Sequence, residues 1–309
     1  MPNHPLTDRE QREARYSALR ALPLQTVGSS GPSLGSSVSA VREIWAQRQM
    51  LDLLIRRDLK ARYKDSALGF LWSLVRPLTQ LVIYYVVMGQ FLGAARGIPD
   101  FAIYIFSGLT AYGFFSEVVS GATSSIVGNS GLIKKIYLPR EIFPLASLGS
   151  ALFNFAIQFG ILLLATLVLG KFPIGPGLIY LVPAFLVLVV YALALGLLLS
   201  AVNVYMRDIQ YLVEVGLMVL MWASPIVYSW TMVKNVIHSP VLLEIYTNNP
   251  LTLAVLGFQR ALWIGGQGTA QYPPELLLRL GVAGLIGLIL IGVFHRTFTR
   301  LQGNFAQAL

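Results

Sequence analysis

The stretch GLIYLVPAFLVLVVYALALGLLLSAV, residues 177–202, contains no Asp, Glu, Lys or Arg. About 20 apolar residues at 1.5 Å each cross a hydrocarbon core about 30 Å thick, so this stretch is long enough to span a bilayer as a helix. A barrel strand would alternate apolar and polar over about 10 residues, and this run is continuous. Working outward, Ile142 to Leu169 reads the same way, joined to it by a short turn at Lys171 to Gly175. Downstream, Ile209 to Tyr228 and Leu276 to Phe294 give a fifth and a sixth span. Upstream, Trp72 to Ala95 is the first, with Arg76 and Pro77 placed at its mouth, where a proline is tolerated and a long side chain snorkels.

The second span, Phe101 to about Val127, is the least hydrophobic and interleaves Ser107, Gly108, Thr110, Gly113, Ser116, Glu117, Ser120 and Gly121 with aromatics. Small residues at that density let helix backbones approach closely, which predicts burial in protein rather than exposure to lipid. Between the last two spans, Pro240 to Gly266 holds short, mostly apolar runs broken by Asn248, Asn249, Pro250 and Arg260. Neither side of the break spans alone, so a re-entrant helical hairpin is expected, with non-helical backbone shielded by protein.

Composition agrees. Of 309 residues 55% are apolar and 12% charged, about half the charged share of a soluble domain, and mean hydropathy is +0.66. The chain has no cysteine, which excludes disulfides and thiolate metal sites. Residues 1–40, with a Ser/Gly/Pro stretch from Gly28 to Ser39, read as a disordered cytoplasmic tail and linker, with no apolar core of a signal peptide. Residues 41–70 read as an amphipathic helix: Leu51, Leu54, Ile55, Leu59 and Tyr63 form a stripe, and Arg56, Arg57, Lys60, Arg62 and Lys64 flank it. Such a segment suits the headgroup layer of an anionic leaflet. The fold class expected is thus an all-α membrane protein with six transmembrane helices in residues 71–309, an N-terminal interfacial helix and a re-entrant hairpin at about 240–266. Seventeen of the 23 Lys and Arg fall on one side of that layout and five on the other, which predicts both termini in the cytoplasm.

Enzymatic motifs are absent. There is no G-x-x-x-x-G-K-[ST] loop, Gly170-Lys171 being followed by Phe172, and no H-E-x-x-H; His4, His238 and His295 stand apart. No clustered carboxylates mark a metal-dependent transferase, and Gly265-Gly266-Gln267-Gly268 reads as turn geometry. Neither a catalytic residue nor a metal or cofactor site is expected on this chain, and nucleic acid is not an expected partner.

Four segments carry a resemblance. RYKDSALGFLW at 62–72 with RPL at 76–78, LIKKIYLPREIFP at 132–144, NVYMRDI at 203–209 and NPL at 249–251 resemble, in order and spacing, ABC permeases that export polysaccharides or polyol phosphates, such as O-antigen and wall teichoic acid exporters. The likeness runs from about residue 50 to Leu309. It implies a multi-pass permease of the bacterial cytoplasmic (inner) membrane working as a homodimer with two ATP-binding subunits, which carry the ATP and Mg, and moving a polyprenyl-linked polysaccharide outward. Under it, Lys134, Lys135, Tyr137, Arg140 and Glu141 form a coupling helix to the ATPase, with Arg207 and Asp208 as a weaker second contact. Read without it, the first segment is an ordinary positive-inside loop, and Arg207-Asp208 a pair capping the fifth span.

The cluster Arg56, Arg57, Lys60, Arg62 and Lys64 suits either the lipid pyrophosphate or anionic headgroups at large. Glu117 and Glu214 lie in spans, where an ionised carboxylate faces a bundle interior, a partner or a cavity. They serve a channel or gate, with Tyr112, Phe115, Asn249 and Pro250, or make structural hydrogen bonds. Crowded aromatics from Tyr84 to Phe115 suit sugar stacking and an interfacial belt equally. Alternatives are a drug or small-lipid exporter permease, an ion-coupled carrier using Glu117 and Glu214, or a polyprenyl-phosphate transferase.

Overall fold

The structure is a computed structural model that describes residue 16 and residues 42–63, 71–91, 93, 97–136, 138–268 and 270–309. The expected tail and linker at 1–40, apart from Tyr16, and Lys64, Arg96 and Tyr137 lie outside the described residues, as do the side chains of Arg62, Tyr63 and Arg76.

The described chain is helical, with no strand among the described residues. In order come α1 (Arg48–Tyr63), α2 (Leu71–Ile83, continuing as π-helical turns over Tyr84–Phe91), α3 (Phe101–Gly128), α4 (Ser130–Ile133) and α5 (Ile142–Val168). Then a 3₁₀ turn (Pro176–Tyr180) leads into α6 (Leu181–Tyr205), followed by α7 (Ile209–Trp222), α8 (Trp230–Val236), α9 (Pro240–Thr247), α10 (Pro250–Leu262), α11 (Leu276–Leu301) and α12 (Phe305–Ala308). Among the described residues, four helical stretches are long and apolar enough to cross a membrane: Phe101–Gly128, Ile142–Val168, Pro176–Tyr205 and Leu276–Asn304.

Two expected boundaries differ. The fifth span was expected to reach Tyr228, but α7 ends at Trp222. Pro225 lacks an N–H and disfavours helical backbone at Ser224, so the chain leaves the helix before it. Pro77 was placed at the mouth of the first span, whereas α2 begins at Leu71 and encloses it. A proline there removes one rung of the hydrogen-bond ladder.

α3 is the axis of the bundle, packed against α5, α6, α7 and α10. Its small residues work as the pattern implies: a Cβ on Gly196 of α6 would lie 2.8 Å from the Ala122 methyl, so glycine alone fits that crossing. Two of its buried hydroxyls bond back along the helix, Ser107 Oγ to Ile103 O and Thr123 Oγ1 to Val119 O, each at 2.7 Å, which satisfies them where water is scarce. α11 lies along α6 on the far side.

α9 and α10 are separated by a break at Asn248-Asn249. Asn249 caps α10 by accepting from the Leu251 N–H at 3.0 Å, and Pro250 takes the first helical position, where no N–H is needed. At 1.5 Å per residue the two helices reach about 12 and 20 Å, each shorter than a bilayer core. α10 is buried on nearly every face, from Leu251 to Leu262.

Alternating helix directions gather the loops at two ends. One end holds residues 129–141, 206–208 and 302–309 around a core of Leu54, Ile126, Ile133, Ile142, Phe143, Phe298 and Phe305. The other holds residues 97–100, 169–175, 223–229 and 263–275 over the larger core. There Trp263 Nε1 donates to Pro99 O at 2.6 Å, and the Arg260 guanidinium lies between the rings of Tyr180 and Tyr272, 4.2 and 5.2 Å from their centres. Burial pushes the Tyr272 hydroxyl above its ordinary pKa, partly opposed by Arg260, so this ring stays uncharged.

Candidate functional site

The loop between α3 and α5 is an elbow. Asn129 Nδ2 donates to Ser125 O at 2.7 Å where α3 stops, and the single turn of α4 drops Ile133 into the core below. That anchor leaves Lys134, Lys135 and Ile136 exposed, against a hollow of about 230 Å3 lined by Leu138, Arg140 and Phe143 among others. A rigid cationic knob with an apolar tip is a shape that seats in a cleft of a soluble protein.

Arg140 and Glu141 point elsewhere. Arg140 Nη1 donates to Gln302 O at 2.6 Å, and its guanidinium lies 5.9 Å from the Phe305 ring centre. Glu141 is 5% exposed and faces His295 Nε2 at 3.5 Å. These two residues therefore address α11 and the segment after it, and the exposed part of the elbow is Lys134 to Ile136. Arg207 and Asp208 are both exposed; Asp208 sits at the N-cap of α7 without a capping side-chain hydrogen bond. Beside them Tyr205 donates to Leu301 O at 2.7 Å.

On α1, the stripe of Leu51, Leu54 and Ile55 is covered by α5, with Leu54 in the core. Arg56 pairs with Asp52 at 2.8 Å, Arg57 with Asp58 at 2.7 Å, and Lys60 is exposed. The two aspartates dilute the cationic face, a point the sequence reading passed over although Asp52 to Arg56 is an ordinary i,i+4 pair.

Glu117 accepts from Asn154 Nδ2 at 2.6 Å across the α3/α5 contact. It opens on a polar cleft of about 290 Å3 shared with Arg57, Asp58, Ser124, Ser147 and Ser150. Phe115 is buried in the core, and Tyr112 donates to Leu217 O at 3.1 Å, tying α3 to α7. Glu214 lies on an exposed face of α7 with Tyr211, Val215, Met218 and Trp222. Asn249 and Pro250 start α10, as described above. Among the described residues no three His, Cys, Asp or Glu side chains converge on a metal-sized site. Sequence reasoning set His295 aside as isolated and gave Phe305 no role. Their partners lie far away in sequence, and only the aromatic spacing of Phe298 and Phe305 hinted at a contact.

The described residues thus form an all-helical bundle, with helices long and apolar enough to cross a membrane and a basic elbow anchored at one end. The chain matches the ABC-2 type transporter family over residues 50–263, and it belongs to that family. It is 28% identical over 222 residues to the O-antigen export system permease protein RfbA of Myxococcus xanthus, covering 72% of this chain and 83% of that one. A Klebsiella pneumoniae protein of the same name is 27% identical over 266 residues, covering 84% and 96%. The polysialic acid transport protein KpsM of Escherichia coli is 23% identical over 188 residues, covering 59% and 70%.

Proposed function

We propose that this chain is the permease subunit of an ATP-driven exporter that carries a polyprenyl-linked polysaccharide across the bacterial cytoplasmic membrane. The observation that carries this reading is the elbow: Ile133 is fixed in the core while Lys134, Lys135 and Ile136 are presented outward, a handle for a nucleotide-hydrolysing partner. The names of the relatives, two of O-antigen export and one of polysialic acid transport, support the cargo. ATP and Mg belong to that partner, and this chain converts its movement into helix movement.

In this reading the chain crosses the membrane six times. The helical run Leu71–Phe91 and the apolar α7, completed by Ala223 to Tyr228, join the four longer helices, and α9 with α10 forms a re-entrant hairpin at the outer end. The elbow end is cytoplasmic, consistent with its excess of Lys and Arg. The exposed apolar faces of α2 and α7 suit a second copy, so two permeases and two ATP-binding subunits make the working unit.

Co-expression with the cognate ATP-binding subunit tests the central point. Lys134→Glu with Lys135→Glu is expected to abolish co-purification, and a thiol at Ile136→Cys, the sole cysteine in the chain, is expected to label from the cytoplasmic side only. Labelling from outside refutes the orientation, and undiminished co-purification refutes the handle.

A further inference from the structure

We infer that the segment Gln302–Leu309 is a strut that fixes the elbow to the bundle, with Arg140, Glu141, His295 and Tyr205 as its positioning residues. The inference rests on the coupling role proposed above and adds how force leaves the elbow. Lys134 to Ile136 are exposed, so a push on them moves helices only if the elbow cannot pivot about its Ile133 anchor. Immediately after Pro139 the chain is tied twice to α11 and beyond: Arg140 Nη1 donates to Gln302 O at 2.6 Å, and the Glu141 carboxylate faces His295 at 3.5 Å.

The same segment holds the other loop at this end. Tyr205, where α6 ends, donates to Leu301 O at 2.7 Å, and its ring packs 6.1 Å from that of Phe305. Phe305 is fully buried, edge-on to Phe298 at 5.7 Å and beneath the Arg140 guanidinium. One short segment thus touches both loops at the elbow end and the last long helix. Glu141 is nearly closed off from water against His295, so pivoting the elbow would break a buried polar contact, which resists the movement. Movement of the elbow is therefore delivered to α11 through Arg140 and Glu141, and to α6 through Tyr205, as one rigid displacement.

The test uses the full permease assembled with its ATP-binding subunit in lipid vesicles. Arg140→Gln with Tyr205→Phe removes the guanidinium and the hydroxyl while keeping a polar and an aromatic side chain in place, and a second variant deletes Gln302–Leu309. Both are expected to retain the partner, to speed amide exchange over residues 134–143 by about tenfold, and to lower polysaccharide exported per ATP hydrolysed by a similar factor. Wild-type exchange and export in the double variant overturn the strut, as does exchange that rises with no change in export. If the deletion does not assemble, the double variant decides alone. Lys134→Glu with Lys135→Glu separates the two ideas: loss of the partner there with no effect of the strut variants sinks only the strut, whereas retention of the partner there sinks the coupling role itself.

Discussion

Gly149 of α5 lies directly beneath the Ile55 side chain of α1, with no room for a Cβ between them. This contact is where the amphipathic helix meets the bundle, next to the buried Leu54. Replacing Gly149 by Val overpacks the crossing, and overpacked contacts cost about 1–3 kcal/mol. The expected result is release of α1 with the rest of the fold intact. Limited proteolysis near Arg56 to Lys60 should accelerate while the melting of the long helices hardly changes. An unchanged cleavage pattern would show that α1 does not depend on this contact.

Asn154 donates to Glu117 at 2.6 Å at the edge of the polar cleft. Asn154→Leu removes the donor where a carboxylate has little water, and the loss of such a bond costs about 1–3 kcal/mol. A lowered melting temperature in detergent is expected, and Glu117→Gln in the same background should recover part of it, because an amide loses less than a charged group does when one of its hydrogen bonds is removed. If the double variant melts lower than the single one, the two side chains are not coupled in this way.

Arg260 is held between Tyr180 and Tyr272, so its planar cation stacks on two rings at once. Arg260→Met should destabilise by roughly 0.5–2 kcal/mol, and Arg260→Lys by an intermediate amount, since an ammonium offers charge without the plane. Thermal melting of the purified variants measures this. Equal melting for Met and Arg would mean that only the aliphatic stem matters.

Arg62 and Lys64 close the basic run of the first amphipathic segment. Replacing both with Gln is expected to abolish export and leave partner binding unchanged, read by surface polysaccharide and by co-purification. Parallel loss of both readouts would assign these residues to assembly.

The sequence made the long helices readable because a bilayer imposes one simple demand, a sustained apolar run, and residues 177–202 meet it without interruption. It also foretold the burial of α3, since Gly108, Ser107 and Gly121 make sense only beside other backbones. The break at Asn248-Asn249-Pro250 was legible from the chemistry of a helix start. What escaped was set by contacts distant along the chain. The partners of Arg140 and Glu141 at Gln302 and His295 lie about 150 residues away, and no local pattern announces them. The end of α7 was missed for a different reason: hydropathy continues smoothly past Trp222, and the stop comes from the backbone chemistry of Pro225.

The brevity of α7 reaches past the protein. Fourteen residues cover about 21 Å, while the neighbouring long helices exceed the full hydrocarbon depth. In the dimer proposed above, the exposed face of Tyr211, Val215 and Met218 lies against the second copy rather than against acyl chains. A seam built on so short a helix would run no further than about 21 Å, and the two proposed copies would part beyond Trp222, where the chain leaves the helix.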